Sequence, residues 1–241
     1  PGRDTTAMRL VHGESDDLPG LVVDRYGESL VVQILSSGVE FWKETFFELL
    51  PEVTGVKAIF ERSDVDVRAL EGLVPRRGAI SAGAEPREKI MENGASFYID
   101  ILGGQKTGFY LDQRANRQKV RAYAQGREVL DCFAYSGGFT INALLGGAKS
   151  VTAVDNSEQA LDLLRENLVL NQLQEQSPIL QQGDVFQVLR SYRDARKTFD
   201  MIILDPPKFA HNQMQVEKAA RGYKDINLLA LKLLRPGGLL V

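Results

Sequence analysis

Apolar and polar positions follow three different patterns along the chain. In "GLVVDRYGESLVVQIL" two β-branched runs flank Arg25 to Glu28, which predicts a hairpin turning on Gly27. "VEFWKETFFELL" then spaces Phe41, Phe46, Leu49 and Leu50 as on a helix, with Pro51 as its stop, and "VKAIFERS" is another strand. These elements predict a small α+β domain over residues 1–75, ending near Leu73. Residues 76–111 read differently. "LVPRRGAISAGAEP" is rich in proline and glycine and is the expected linker, and "EKIMENGASFYIDI" sets Asn93-Gly94 between two alternating segments, a strong hairpin signal. A glycine-broken loop, "LGGQKTGFY", leads on to an amphipathic helix expected from Asp112 to Ala124.

From Arg127 onward the pattern alternates regularly. "EVLDCF", "SVTAVD", "PILQQGD", "FDMIILDPP" and "GGLLV" are strand-like, and helical stretches such as "SEQALDLLRENLVLNQL" lie between them. Strands alternating with helices imply βαβ units and a doubly wound, mostly parallel α/β sheet, here over residues 112–241. Five strands are visible, and the last begins close to Val241, so the sheet is expected to be incomplete at its C-terminal side.

Composition narrows the chemistry. Hydrophobic residues make up 44% and charged residues 25%, as in an ordinary globular protein. The sequence has no signal-peptide character and no apolar run of membrane-spanning length, so a cytoplasmic protein without a membrane partner is expected. Cys132 is the single cysteine, and the two histidines, His12 and His211, are far apart, so no metal site is expected. A net charge of -3 supplies no global attraction for polyanions; any nucleic-acid binding needs a local basic patch or a separate module.

The ends of the strands carry the candidate chemistry, because open α/β sheets bind ligands beyond their carboxyl edges. The first strand ends in Asp131 and the turn Phe133 to Gly138, the second in Asp155-Asn156, the third in Asp184-Val185, and the fourth in Asp205-Pro206-Pro207-Lys208. Four strands in succession end in an acid. Any one of them could simply cap a helix. Together they make sense as a cofactor constellation: Asp155, about 20 residues past the glycine turn, for ribose hydroxyls, and Asp184 for an exocyclic amino group. The turn itself, Ala134, Tyr135, Ser136, Gly137 and Gly138, departs from the dinucleotide pattern. Asp131 ahead of it would repel a pyrophosphate and suit an ammonium group, while Gly137 and Gly138 would let a ligand approach the backbone. Ribose, adenine and an amino-acid ammonium together describe S-adenosylmethionine.

"VLDCFAYSGGFT", "VTAVDNSEQAL", "QGDVF" and "DPPKFA" resemble the motifs of class I S-adenosylmethionine-dependent methyltransferases. "GQKTGFYLDQRANR" and "RGYKDIN" are similar, more specifically, to the bacterial 23S rRNA cytosine-C5-methyltransferase I family. The resemblance covers the chain from about Leu10 to its end. It implies a Rossmann-like methyltransferase sheet of seven strands, the last two missing here, and a PUA-type RNA-binding module ahead of the small α+β domain, also missing. It further implies a cofactor loop from Thr107 to Arg114 with Phe109, Tyr110 and Asp112 near the ligand, Phe109 and Tyr110 being alternatively a hydrophobic staple on the next helix. The implied partner is large-subunit rRNA; a homodimer is left open.

Cytosine C5 is not nucleophilic in the resting base, so its methylation needs a cysteine thiolate adding at C6. Cys132 sits inside an apolar strand and reads as a small core residue. The resemblance puts the nucleophile just after the fifth strand, beyond Val241, because Pro207-Lys208 stands where related RNA enzymes have a cysteine. Asp205 would then accept from the cytosine edge, Pro207 would fix the backbone, and Lys208 would touch base or phosphate. A guanine-N7 or other base methyltransferase, a small-molecule methyltransferase and a non-catalytic RNA-binding assembly protein remain alternatives.

Overall fold

The computed structural model describes residues 4–210 and 212–241, so His211 lies outside the described residues. The chain divides into two compact units, one ending at Arg114 and the other spanning Ala115–Val241.

The first unit is built on a sheet of β1 (Ala7–His12), β2 (Leu21–Tyr26), β3 (Ser29–Ile34), β4 (Ala58–Ser63) and β5 (Arg76–Ala79), in that spatial order. Only the β3–β4 pair is parallel. Helices α1 (Ser37–Phe41) and α2 (Lys43–Thr54) lie between β3 and β4 in sequence, and α3 (Val67–Leu70) precedes β5. Leu21, Val23, Leu30, Val32 and Ile34 form the core on one face of the sheet, packed by Phe46, Phe47 and Leu50 of α2. Phe41 and Leu49, which share the helical spacing, are exposed instead. Pro51 does not stop α2. The helix runs on to Thr54 and closes at Gly55, which takes a left-handed conformation and donates its N–H to the Pro51 carbonyl.

The expected linker is in part structure. Its first half is β5, an edge strand, and the hairpin after it, β6 (Arg87–Glu92) and β7 (Ala95–Asp100), is bonded into the first unit. Thr6 N–H donates to the Met91 carbonyl at 2.9 Å, and Ser29 Oγ to Glu88 Oε2 at 2.8 Å. Asn93 and Gly94 both have positive φ, 50° and 77°, as a two-residue primed turn requires.

A buried polar network organises this unit. Arg9 on β1 forks onto Asp24 of β2, with Nε to Oδ1 at 2.8 Å and Nη2 to Oδ2 at 2.9 Å. Thr107 Oγ1 donates to Asp24 Oδ2 at 2.7 Å, and the Tyr26 hydroxyl lies 2.7 Å from Thr107 Oγ1. Burial, and then the Asp24 charge, push the Tyr26 phenol above its ordinary range.

The second unit is a five-stranded parallel sheet. β8 (Glu128–Cys132) is central, β9 (Ser150–Asp155) and β10 (Ile179–Gln182) extend one side, and β11 (Phe199–Leu204) and β12 (Leu234–Leu240) the other. α4 (Arg114–Tyr123) precedes the sheet in sequence; α5 (Gly138–Leu145), α6 (Glu158–Leu170), α7 (Val185–Asp194) and α8 (Val216–Leu233) supply the crossovers. This is the doubly wound α/β fold that the alternation predicts, with the strand order reversing at β8, between β9 and β11.

Replacing Asp24 by alanine leaves Arg9 and Thr107 without their shared acceptor and loosens the Thr107 hydroxyl that Tyr26 meets. A loss on the order of 2–4 kcal/mol in urea unfolding is expected; a change of under about 0.5 kcal/mol, the range of ordinary surface substitutions, would show the network to be dispensable.

Candidate functional site

The loops at the carboxyl edge of the second sheet converge where β8 meets its neighbours. After Cys132 the chain makes a turn with three residues of positive φ: Phe133 at 62°, Tyr135 at 47° and Gly137 at 86°. Left-handed geometry at two bulky aromatics is costly and persists only where surrounding bonds impose it. Those bonds are present. Ala134 N–H donates to the Val154 carbonyl at 3.0 Å, Gly137 N–H to the Ala134 carbonyl at 2.9 Å, and Tyr135 N–H to Asp155 Oδ2 at 2.8 Å. Asp155 Oδ1 meanwhile accepts from Ser157 N–H at 2.9 Å.

Asp155 therefore ties the end of β9 to the turn after β8, which its place in the sequence does not reveal. Each of its oxygens keeps a second lone pair, so two hydroxyl donors can still be accommodated. Asn156 beside it is exposed, its carbonyl accepting from Gln182 Nε2 at 3.3 Å.

Asp131 is 1% exposed. Thr140 Oγ1 on α5 donates to its Oδ2 at 2.6 Å, while its Oδ1 and the buried Ser136 Oγ have no hydrogen-bond partner. Burial pushes the Asp131 carboxyl up to about 7; Thr140 pulls against this, and the charges of Asp205 and Asp155 add to it. A buried carboxylate oxygen and a buried hydroxyl, each without a partner, could take a cationic donor.

Two expected roles change on inspection. The glycines do more than let a ligand approach. At Gly137, with φ of 86°, a Cβ would overlap Leu164 Cδ1 of α6, while at Gly138 a Cβ would lie 3.0 Å from Arg117 Cδ of α4, which a small shift of that side chain relieves. Val185 is buried in the core with Leu189 and Ile202, which leaves only its backbone for a ligand. Asp184 caps α7, its Oδ1 accepting from Gln187 N–H at 3.0 Å, and is otherwise exposed.

Asp205 follows β11, and Pro207 and Lys208 after it are exposed. Cys132 is fully buried in the core of this unit, and burial pushes its thiol well above the ordinary range, so it supplies no thiolate.

Phe109, Tyr110 and Asp112 belong to the first unit. Phe109 is buried there against Phe97 of β7, ring centroids 5.1 Å apart, and its N–H and carbonyl both meet the Tyr26 hydroxyl. It is thus a core residue of that unit. Tyr110 is half-buried, bonded to Gln105, with Lys106 Nζ 5.4 Å from its ring; Asp112 is exposed. Among the described residues no group of three or more His, Cys, Asp or Glu is placed to hold a metal, and no helix is long and apolar enough to cross a membrane.

A doubly wound parallel sheet with acids after successive strands, an open buried acceptor at the switch of strand order, and no phosphate-type glycine loop defines a binding domain for a cationic nucleoside cofactor. Residues 78–241 match the family model described as S-adenosylmethionine-dependent methyltransferase, and the chain belongs to that family. S-adenosylmethionine is the cofactor of this family, and its ammonium fits the open acceptor at Asp131. Two relatives are both named Ribosomal RNA large subunit methyltransferase I. The Erwinia tasmaniensis protein is 50% identical over 236 residues and the Tolumonas auensis protein 51% identical over 238. Each alignment covers 98% of this chain and 60% of the relative, so the chain spans about three-fifths of their length. A methyltransferase crystallised with SAH superposes with a TM-score of 0.85 at 28% identity, over 99% of this chain and 61% of that one.

The raised Asp131 sets a pH dependence. Its folded-state value lies above its unfolded value near 3.8, so the folded state holds the extra proton, and stability falls as pH rises from about 4 to about 7. Cofactor-free Asp131→Asn should lack this slope and exceed wild type at pH 7.5 by roughly 1–3 kcal/mol in urea unfolding. Parallel pH profiles for the two proteins would contradict the assignment.

Proposed function

We propose that this protein transfers the methyl group of S-adenosylmethionine to large-subunit rRNA, at C5 of a cytosine. The observation that carries the cofactor half of this reading is the buried, open acceptor of Asp131, with Asp155 at the adjoining strand end. The two relatives at about half identity, both named for large-subunit rRNA methylation, support the substrate half.

In this reading Asp131 Oδ1 would hold the cofactor's ammonium, the remaining lone pairs of Asp155 its ribose hydroxyls, and Asp184 its adenine amino group. Phe133, Ala134, Ser136, Gly137 and Gly138 line the turn with backbone, while Asn156 and the Val185 backbone flank the adenosine. When bound, S-adenosylmethionine supplies an electrophilic methyl group.

The chain's own residues then handle the base. Asp205 accepts from the cytosine edge, the two prolines stiffen the strand exit, and Lys208 meets base or phosphate. A thiolate adds to C6, the C5 so activated takes the methyl, a base removes the C5 proton, and the thiolate leaves. Because Cys132 is buried, that thiolate comes from outside residues 1–241. The target base has to leave its stack to be reached.

Calorimetry on the full-length protein should detect S-adenosylmethionine binding, weakened at least tenfold, about 1.4 kcal/mol, by Asp155→Ala. Asp155 also holds the turn, so the folded fraction of the variant is checked by its thermal midpoint. Incubation with rRNA from cells lacking the gene, followed by mass-spectrometric mapping, should place the new methyl at cytosine C5. A methyl on guanine N7, or none on rRNA, would overturn the substrate assignment.

A further inference from the structure

The segment "RGYKDIN" lies on α8, in a stripe that faces the sheet: Ala219, Ile226, Leu229, Ala230 and Leu233 are buried along it. Gly222 continues that stripe at helical spacing, and Tyr223 beside it is exposed. There the side chains are unusual. Position 222 is glycine, and a Cβ on it would lie 3.3 Å from Phe209 Cδ2 and 3.8 Å from Phe186 Cζ, so a side chain there would press on the ring of Phe209 by a few tenths of an ångström. Tyr223 stacks on Phe209, centroids 4.4 Å apart and planes tilted by 32°.

The hydroxyl of Tyr223 reaches the backbone on both sides of Lys208. It accepts from Phe209 N–H at 3.3 Å and donates to the Pro207 carbonyl at 3.4 Å. Both bonds are long, and neither is strong alone. Their placement is what counts. Pro206 and Pro207 have fixed φ and no N–H, and each restricts the residue before it, so Asp205 to Pro207 has little freedom left. Lys208 is the first residue after them free to swing, and the hydroxyl spans it.

We propose that Tyr223 is a positioning residue that clamps the backbone of Lys208 and so sets the direction in which that side chain is presented to the target base. The inference rests on the reading that Asp205 to Lys208 meets the base. Gly222 serves the same end by admitting Phe209, and the segment acts without touching the cofactor.

The test uses the full-length protein with Tyr223→Phe, which keeps the ring and removes the hydroxyl. Hydrogen exchange at the Phe209 amide should speed up roughly tenfold while the amides of α8 keep wild-type rates. The single-turnover rate on unmethylated large-subunit rRNA should fall about tenfold at saturating cofactor, with S-adenosylmethionine affinity and thermal midpoint unchanged. Gly222→Ala, which displaces Phe209, should reproduce the rate loss. Unchanged exchange at Phe209 would overturn the clamp; faster exchange with a wild-type transfer rate, or a rate loss matched by lost cofactor affinity, would overturn the positioning role. The exchange measurement needs no RNA, so a wild-type protein inactive on rRNA would sink the substrate assignment while the Phe209 amide still decides the clamp.

Discussion

The carboxylate of Asp155, accepting from Tyr135 and Ser157 N–H groups, joins the ends of two adjacent parallel strands and imposes the left-handed turn between β8 and α5. Much of the site depends on that tie. Without it Phe133 and Tyr135 have no reason to stay at positive φ, and Gly137 loses the register that lets Leu164 pack against it. The same turn carries Ser136 and begins the helix that brings Thr140 onto Asp131. A ligand accepted by Asp155 would thus bind to a group that is already structural, and its contacts would add to an existing scaffold.

Asp131 shows the cost of such a site. A carboxyl without water around it, near Asp155 and Asp205, is destabilised in its charged form, and one hydrogen bond from Thr140 offsets only part of this. A cationic ligand placed there, as proposed, would relieve the same group.

The first unit solves a different problem. Its loop before α4 contains three glycines, yet Thr107 and Phe109 are anchored by Asp24, Tyr26 and Phe97. A buried acid shared between an arginine, a threonine and, through it, a tyrosine specifies one loop conformation, because each donor left unpaired would carry a desolvation cost. The same logic recurs on a smaller scale at Tyr223, where a single hydroxyl serves a strand exit whose prolines leave few backbone donors.

The five parallel strands, the four crossover helices and the Asn93-Gly94 hairpin were legible in the sequence, because strands buried on both faces are continuous apolar runs and turns need particular residues. β1 and β5 were not: as edge strands they bury only part of one face and carry no such pattern. α2 outran Pro51 because the following turn closed at Gly55, a local signal that the proline obscured. The acids after the strands could be picked out by position, but their partners could not. That Asp155 bonds Tyr135, that Gly137 faces Leu164, that Phe109 is core and that Tyr223 spans Lys208 are contacts between residues 12 to 27 positions apart. Local periodicity records which face of an element is buried; only the packed structure decides which side chain lies against it, because that choice depends on the shapes of distant elements.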